Sequence, residues 1–229
     1  MRFNGCTVWY GLSLAVGLLP LGQARADSDA GGFFVGANVG RAPIETDNTR
    51  YQKALEASAA DSGTLVFTKA ALAKRDIAFS VDTGFMFVPY VGVEAAYFRF
   101  GRVSNQLAGS YAGTDGTSEY VYAATLLQSR GPALGLLFRL PLLDNVDLNF
   151  RLADYYAHTE LTSTLIAAQH TSGTVTSNSS SLLAGIGLSY TFAGHWLAKL
   201  DCFRVNQAGN DKTMKYDIGM ASAGVAYAF

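Results

Sequence analysis

The chain has 229 residues, of which 49% are hydrophobic and 15% are charged, and its formal net charge is −1. This balance gives no argument for nucleic-acid binding, which is typical of strongly basic domains. Beyond the N-terminal segment no apolar run approaches 18 residues, so the sequence does not predict a transmembrane helix.

The first 26 residues have the pattern of a secretory signal peptide. Arg2 supplies a basic start, residues 8–21 are mostly apolar, and residues 24–26 (ARA) are typical of a cleavage site. We therefore expect residues 1–26 to be removed and residues 27–229 to form one domain. Cys6 would leave with the signal peptide, so Cys202 would be alone and could not take part in an intrachain disulfide framework.

Eight segments of the chain alternate apolar with other side chains, and this period of two indicates β-strands. In chain order they lie at about 32–40, 76–87, 90–100, 130–140, 146–156, 181–192, 195–206 and 216–229. Three connections are short, and four are longer and more polar, at 41–75, 101–129, 157–180 and 207–215. Short turns at one end and long loops at the other are typical of outer-membrane barrels.

Three stretches within the long connections have their own composition. Residues 109–118 and 171–181 are rich in Gly, Ser and Thr, and we expect them to be mobile loops. Residues 51–60 (YQKALEASAA) are rich in helix formers and predict a short amphipathic helix, marginal on its own.

The last strand ends on Phe229 and alternates along nearly its whole length. In a soluble protein this strand would present an apolar edge to water, which natural sheets avoid. The pattern favours a strand that closes a barrel with one face in lipid, because only helices and closed barrels satisfy their backbone groups there. An even number of strands places both termini on the periplasmic side.

Aromatic residues are concentrated near the ends of the predicted strands. On the short-turn side we expect a periplasmic aromatic belt of Phe33, Phe85, Phe87, Tyr190, Phe192 and Trp196. On the long-loop side a second belt is expected from Tyr97, Phe100, Tyr155 and Tyr156, with Phe203 nearby. A soluble lipocalin-like barrel would turn such residues inward around a ligand. Export, loop asymmetry and the belts together favour the membrane.

The opposite faces of the strands carry polar residues among Gly and Ala. Seven of these residues are charged, and we expect them to form a polar network in the lumen: Asp82, Glu94, Arg139, Asp147, Arg151, Lys199 and Asp201. Because an eight-stranded barrel is only wide enough to be filled by side chains, the near-balance of charge predicts ion pairs. The alternative is a soluble sheet whose polar face meets water.

Arg99 interrupts the apolar face of the third predicted strand, two residues after Tyr97. Two explanations stay open: an arginine at the external rim that snorkels toward lipid phosphate, and a β-bulge that reverses the faces of the strand.

Two passages, residues 90–101 (YVGVEAAYFRFG) and 183–229, resemble the OmpA-type family of small outer-membrane β-barrels, and the similarity covers about residues 31–229. The resemblance implies an all-β fold: an eight-stranded antiparallel up-and-down transmembrane β-barrel with short periplasmic turns and long external loops. It implies a location in the outer membrane of a Gram-negative bacterium. It also implies that the barrel-assembly machinery recognises the C-terminal aromatic Phe229, with Tyr227.

The sequence contains no metal-ligand cluster, phosphate loop or nucleophile elbow, so we expect no cofactor and no metal. A lipid-modifying Ser–His pair could recruit His158 or His170, with Ser172 and Glu160, but loops rich in Ser and Thr produce such triplets by chance. We therefore expect no enzymatic activity.

Three functions stay open. The favoured one is a structural or surface-interaction barrel whose loops contact a host or envelope ligand, with outer-membrane lipids and lipopolysaccharide around it. The others are a small-solute channel and a lipid-modifying enzyme. Paired charges would plug an eight-stranded bore, which disfavours the channel.

Overall fold

A computed structural model describes residues 32–45, 63–73, 77–113, 118–166, 170–210 and 215–229. The expected signal peptide and the helix expected at 51–60 lie outside these ranges. The described residues form ten strands: β1 Phe33–Arg41, β2 Ile44–Glu45, β3 Gly63–Ala73, β4 Ile77–Val88, β5 Val91–Gly113, β6 Ser118–Leu143, β7 Val146–Ile166, β8 His170–Phe192, β9 Trp196–Ala208 and β10 Tyr216–Ala228. None of the described segments is a helix long and apolar enough to cross a membrane.

Eight of these strands form a closed antiparallel ring in the order β1, β4, β5, β6, β7, β8, β9, β10. The ring closes where β10 pairs with β1, from Phe34–Ala228 to Arg41–Ala221. The predicted eight-stranded up-and-down barrel is therefore confirmed. The two additional strands lie beside its long-strand end, where β2 pairs with β10 and β3 pairs with β5.

The short turns all lie at one end of the ring, at residues 89–90, 144–145 and 193–195. In the last of them Ala193 and Gly194 both have positive φ, 48° and 79°. In this three-residue loop, Ala193 and Gly194 adopt the left-handed region, in which a chain can turn tightly. This backbone conformation lets the chain reverse directly from β8 into β9.

The strands of the ring have an inverted distribution of polarity. In β1 and β4, exposed and buried residues alternate. The exposed positions hold apolar residues such as Val35 and Val81, whereas the buried ones hold Asn38, Ser80 and Asp82. Apolar side chains outside and polar side chains inside are the pattern of a barrel that faces lipid.

Four strands are far longer than the sequence predicted. β5, β6, β7 and β8 contain 23, 26, 21 and 23 residues, whereas β1, β4, β9 and β10 contain 9 to 13. The expectation of mobile loops at 109–118 and 171–181 is wrong for the described residues of those stretches, which lie in β5, β6 and β8. Continuous backbone pairing, from Ala112–Ser118 and from Ile166–His170 downward, holds them in strands despite their polar composition.

β5 contains a bulge at its pairing with β6, between Phe100 and Arg102. The bulge follows Arg99, so it does not turn that residue inward. Arg99 stays on the outer face with Tyr97, and its guanidinium lies 5.9 Å from the centre of the Phe79 ring. Both explanations of the sequence therefore hold in part: Arg99 faces outward, and the strand reverses its faces immediately after it.

Candidate functional site

The interior of the ring is filled by three layers of side chains. An apolar layer lies at the short-turn end, a charged layer follows it, and a larger apolar layer that includes five aromatic side chains fills the long-strand end. Because every layer consists of inward-facing residues of several strands, the barrel itself positions the charged groups. The charged layer is the chemically distinctive site of the molecule.

Arg151 of β7 is the centre of the charged layer. Its Nε donates to Glu94 Oε2 of β5 at 3.0 Å, and its Nη1 donates to Asp201 Oδ1 of β9 at 2.6 Å. The side chains of Arg151 and Asp201 are only 4% and 1% exposed. One guanidinium therefore links three strands across the bore. Charge-assisted hydrogen bonds of this kind are about twice as strong as neutral ones.

A second cluster lies beside this one. Lys199 Nζ of β9 donates to Asp82 Oδ2 of β4 at 2.6 Å. Asn38 of β1 donates from Nδ2 to the other oxygen of Asp82 at 2.8 Å, and to Ser80 at 3.1 Å. The amide of Asn38 and the ammonium of Lys199 thus satisfy both carboxylate oxygens of Asp82. A buried carboxylate without such partners would be costly.

Glycine makes room for these groups at two positions. A Cβ on Gly187 of β8 would collide with Asp201 Oδ1, and one on Gly36 of β1 would lie 2.8 Å from Asp82 Oδ2 and 3.0 Å from Lys199 Nζ. The glycines on the inner face are therefore part of the charged layer, because a larger side chain would displace the carboxylates from their partners.

The last two expected lumen residues form a looser pair. Arg139 Nε lies 3.9 Å from Asp147 Oδ2, and the two side chains are partly exposed. The structure thus places all seven predicted residues in the interior and brings them together as three clusters. The sequence could not say which acid pairs with which base, because that depends on the register between strands distant in the chain.

The layer at the long-strand end contains aromatic residues that were expected outside. Phe100, Tyr155 and Phe203 point inward and are buried, so their predicted place in an outer belt is wrong. They pack with Phe98, whose ring stacks on Phe100 at 5.4 Å and meets Phe203 edge-on at 5.2 Å. Tyr97 and Tyr156 do lie on the outer face, as expected.

The inner positions of these residues follow from strand alternation. Tyr155 is two pleats from Arg151, and Phe203 is one pleat from Asp201, so each shares the inward face of its strand. The prediction of a belt considered only the height of these residues along the barrel and not which face of the strand they occupy. The layers are also in contact, since Arg151 lies 5.5 Å from the centre of the Phe203 ring.

Phe34, Met86 and Leu137 fill the barrel at the short-turn end. Between the layers, two enclosed spaces reach the charged groups, one beside Glu94 and one beside Lys199, each with a volume of about 10 Å³. A cavity needs about that volume to hold one water molecule. Each of these two spaces therefore has room for a single water molecule.

The outer face at the short-turn end carries all six residues expected in the periplasmic belt: Phe33, Phe85, Phe87, Tyr190, Phe192 and Trp196. Aromatic contacts continue across the closure of the ring, because Phe229 lies 6.0 Å from Phe33 and 5.1 Å from Tyr227, and Trp196 lies 5.2 Å from Tyr227. Phe229 also donates its backbone N–H to the Phe33 carbonyl at 2.9 Å.

The structure does not bring together the version of the catalytic triplet that uses His158. His158 Nδ1 lies 2.8 Å from Asn178 Oδ1, whereas Ser172 pairs with Thr164, six residues further along β7. Six residues of strand span about 20 Å. His158 and Ser172 are thus too far apart for proton transfer, and the side chain of His170 lies outside the described set. In the parts of the chain that the structure describes, no three His, Cys, Asp or Glu residues are placed to hold a metal ion.

Comparison with known proteins agrees with this architecture. Residues 28–229 match the family described as OmpA-like transmembrane domain. No curated protein sequence matches the chain.

Several solved structures are similar at low identity. Ail of Yersinia pestis in complex with the heparin analogue sucrose octasulfate is 12% identical, covers 87% of this chain and 99% of its own, and has a TM-score of 0.45. Neisserial surface protein A is 14% identical, with coverages of 86% and 97% and a TM-score of 0.46. The outer membrane protease OmpT of Escherichia coli is 8% identical, with coverages of 87% and 96% and a TM-score of 0.43.

Replacing Arg151 by methionine tests the energetic role of the charged layer. The substitution leaves the carboxylates of Glu94 and Asp201 buried without their cation, so we expect the free energy of unfolding to fall by roughly 3–5 kcal/mol. The measurement is urea-induced unfolding of the barrel in lipid vesicles.

The matched control is Arg204→Met, which removes an arginine paired with Asp217 on the surface, where the two side chains are 50% and 35% exposed. Exposed pairs contribute about 1 kcal/mol or less. Equal losses in the two variants would show that the buried pair has no special role.

Proposed function

We propose that this protein, which belongs to the OmpA-like transmembrane domain family, is a non-conducting barrel that acts by contact at the cell surface. Its family places it in the outer membrane of a Gram-negative bacterium as an integral β-barrel. In such barrels the short turns are periplasmic and the long-strand end is external. The proposed working part is therefore the external end.

The observation that carries this proposal is the height of β5 to β8. A transmembrane strand needs about 9–11 residues, whereas these four strands contain 21 to 26. Roughly 10 to 15 residues of each therefore lie beyond the membrane and form a tall sheet, which β3 joins along β5. We call this sheet the external wall.

The outer surface of the wall along β7 and β8 carries a ladder of neutral hydroxyl groups, with Glu160 on the same face next to Thr162. Thr162 and Thr174 hydroxyls lie 3.2 Å apart across the two strands, and Thr164 and Ser172 hydroxyls lie 3.5 Å apart. Hydroxyls both donate and accept hydrogen bonds. Such a surface suits a polar ligand, peptide or glycan, that is recognised by hydrogen bonds more than by charge.

The filled interior argues against the channel alternative. Two spaces beside the charged layer hold about one water molecule each, and apolar residues that include several aromatic ones cover that layer on the external side. A solute would have to separate Arg151 from both carboxylates in order to pass. The wall, and not the bore, is therefore the proposed site of function.

The wall can be shortened without touching the barrel. One variant replaces residues 163–173 by Asn-Gly, so that Thr162 and Thr174 flank a two-residue turn; a second replaces residues 105–125 in the same way between Ser104 and Leu126. We expect both to fold, by heat-modifiable electrophoretic mobility, and to protect cells from detergent. We expect the full chain to confer adhesion to epithelial cells and matrix protein on cells that otherwise do not adhere, and we expect both shortened variants to lose it.

The control for these variants carries Asn-Gly in place of Asp144-Asn145, at the periplasmic end, and should adhere like the full chain. Adhesion that survives both shortenings would overturn the proposal. Loss of detergent resistance with adhesion intact would instead indicate a structural role in the envelope.

The proposal includes no enzymatic activity. The separation of His158 from Ser172 supports this, although a protease occurs among the distant structural relatives. The lipid A mass spectrum of cells with and without the protein should be the same. A new acylated or deacylated species that depends on the protein would contradict the proposal.

Recognition of Tyr227 and Phe229 by the barrel-assembly machinery stays a prediction. Phe229 is exposed at the end of the closing strand, so its ring is accessible while β10 is still unpaired. We expect Phe229→Ala to lower the amount of folded barrel in the outer membrane of cells while leaving refolding of the purified chain in detergent unchanged. An equal loss in both settings would assign Phe229 to stability and not to recognition.

A further inference from the structure

A row of basic side chains crosses three neighbouring strands on the outer face, at the external end of the barrel. Arg99 of β5 lies opposite Arg130 of β6, and Arg130 lies opposite His158 of β7. Directly opposed residues of antiparallel strands have Cα atoms about 4.5–5.5 Å apart. Like charges in such positions destabilise a sheet, and an anion bound across the row would offset their repulsion.

The row has a defined place relative to the membrane. Its neighbour on β4 is the exposed Phe79, over which the Arg99 guanidinium lies, and its neighbour on β8 is the exposed polar residue Asn178. One pleat below, on the same outer face, Tyr97 lies opposite Pro132. Tyrosine prefers the boundary between lipid and water. The basic row therefore lies immediately above that boundary, at the level of lipid headgroups.

A groove of about 710 Å³ lies on the lipid-facing surface of the barrel, directly below the basic row. Small residues, Thr83, Ala95 and Pro132, line it together with the larger Tyr97 and Tyr156. Its lining is mostly apolar, and its volume lies within the range of about 300–1,000 Å³ that is typical of small-ligand sites. Since this face meets lipid, the groove is shaped for an acyl chain.

We propose that the basic row and the groove together bind one phosphorylated, acylated glycolipid of the outer leaflet. A phosphate would lie across Arg99 and Arg130, beside His158, because the two guanidinium groups offer charge-assisted hydrogen bonds to its oxygens. An acyl chain of the same molecule would lie in the groove between Tyr97 and Tyr156.

One carboxylate selects a glycolipid over a glycerophospholipid. Asp154 lies at the edge of the groove on the outer face, two residues from Tyr156, and the Ser180 hydroxyl donates to its Oδ1. A carboxylate beside lipid is costly unless it accepts hydrogen bonds. Hydroxyl and amide N–H groups at the acyl linkages of a glycolipid are donors at that depth, whereas the ester linkages of a glycerophospholipid have none.

This site goes beyond the proposed contact function, because it uses the lipid-facing side of β4 to β7 and not the external wall. It depends on the outer-membrane location and on the external position of the long-strand end. Shortening the wall leaves every residue of the site in place, so each of the two proposals can fail without the other.

The test measures binding of defined lipids to the delipidated full-length barrel in detergent by native mass spectrometry. The probes are bisphosphorylated lipid A, dephosphorylated lipid A with the same acyl chains, and phosphatidylglycerol. We expect the first to bind about tenfold more tightly than either of the others, a factor that corresponds to about 1.4 kcal/mol. The variants Arg130→Gln and Ala95→Phe should each remove most of this preference.

Two controls match these changes in charge and size. Arg204→Gln removes an exposed arginine on β9, and Val225→Phe enlarges an exposed residue of β10, each outside the site. Both should bind bisphosphorylated lipid A like the parent. All variants are first checked for heat-modifiable mobility, and Thr83→Leu replaces Ala95→Phe if the latter does not fold.

Three results would overturn the proposal. Equal losses for Arg130→Gln and Arg204→Gln would show diffuse attraction by surface charge. Equal binding of bisphosphorylated lipid A and phosphatidylglycerol would show that Asp154 selects nothing. An unchanged affinity in the variant with the filled groove would show that no acyl chain lies there.

Discussion

The salt bridges of Arg151 organise the inside of this barrel. The guanidinium of Arg151 reaches Glu94 on one side of the bore and Asp201 on another. It thereby fixes β5, β7 and β9 relative to one another. Removing these charges from water is costly, and only good geometry on both sides of the arginine offsets the penalty. Space for that geometry comes from small inner residues such as Gly187, whose missing side chain leaves room for Asp201.

The filled bore determines where function can reside. The charged layer is covered by Phe98, Phe100, Tyr155 and Phe203 toward the outside and by Phe34, Met86 and Leu137 toward the periplasm. The barrel is therefore a rigid support with two chemically distinct outer surfaces. One is the hydroxyl-rich polar wall above the membrane, and the other is the lipid-facing groove with its basic row.

Strand alternation in the sequence was sufficient to predict the ring, its closure by the last strand and the inward charges. It did not predict how far β5 to β8 continue. The Gly-, Ser- and Thr-rich ends of these strands have a composition typical of loops, but backbone pairing with the neighbouring strand holds them in the sheet. The pairing of Arg151 with Glu94 and Asp201 was equally out of reach, since it depends on contacts between residues 50 and 57 positions apart. Phe100, Tyr155 and Phe203 were wrongly expected in the outer aromatic belt, although the alternation of side chains along each strand indicated that they face inward.

The central claim is that the charged layer and its aromatic cover close the bore, and single-channel recording in planar bilayers tests it most directly. The purified full-length barrel should give no sustained conductance steps at neutral pH in molar potassium chloride. An opened control, in which Phe98, Phe203 and Arg151 are replaced by alanine, serine and glycine, should give steps if the side chains are the obstruction. Sustained steps from the parent protein, of the size given by the opened control, would contradict the account.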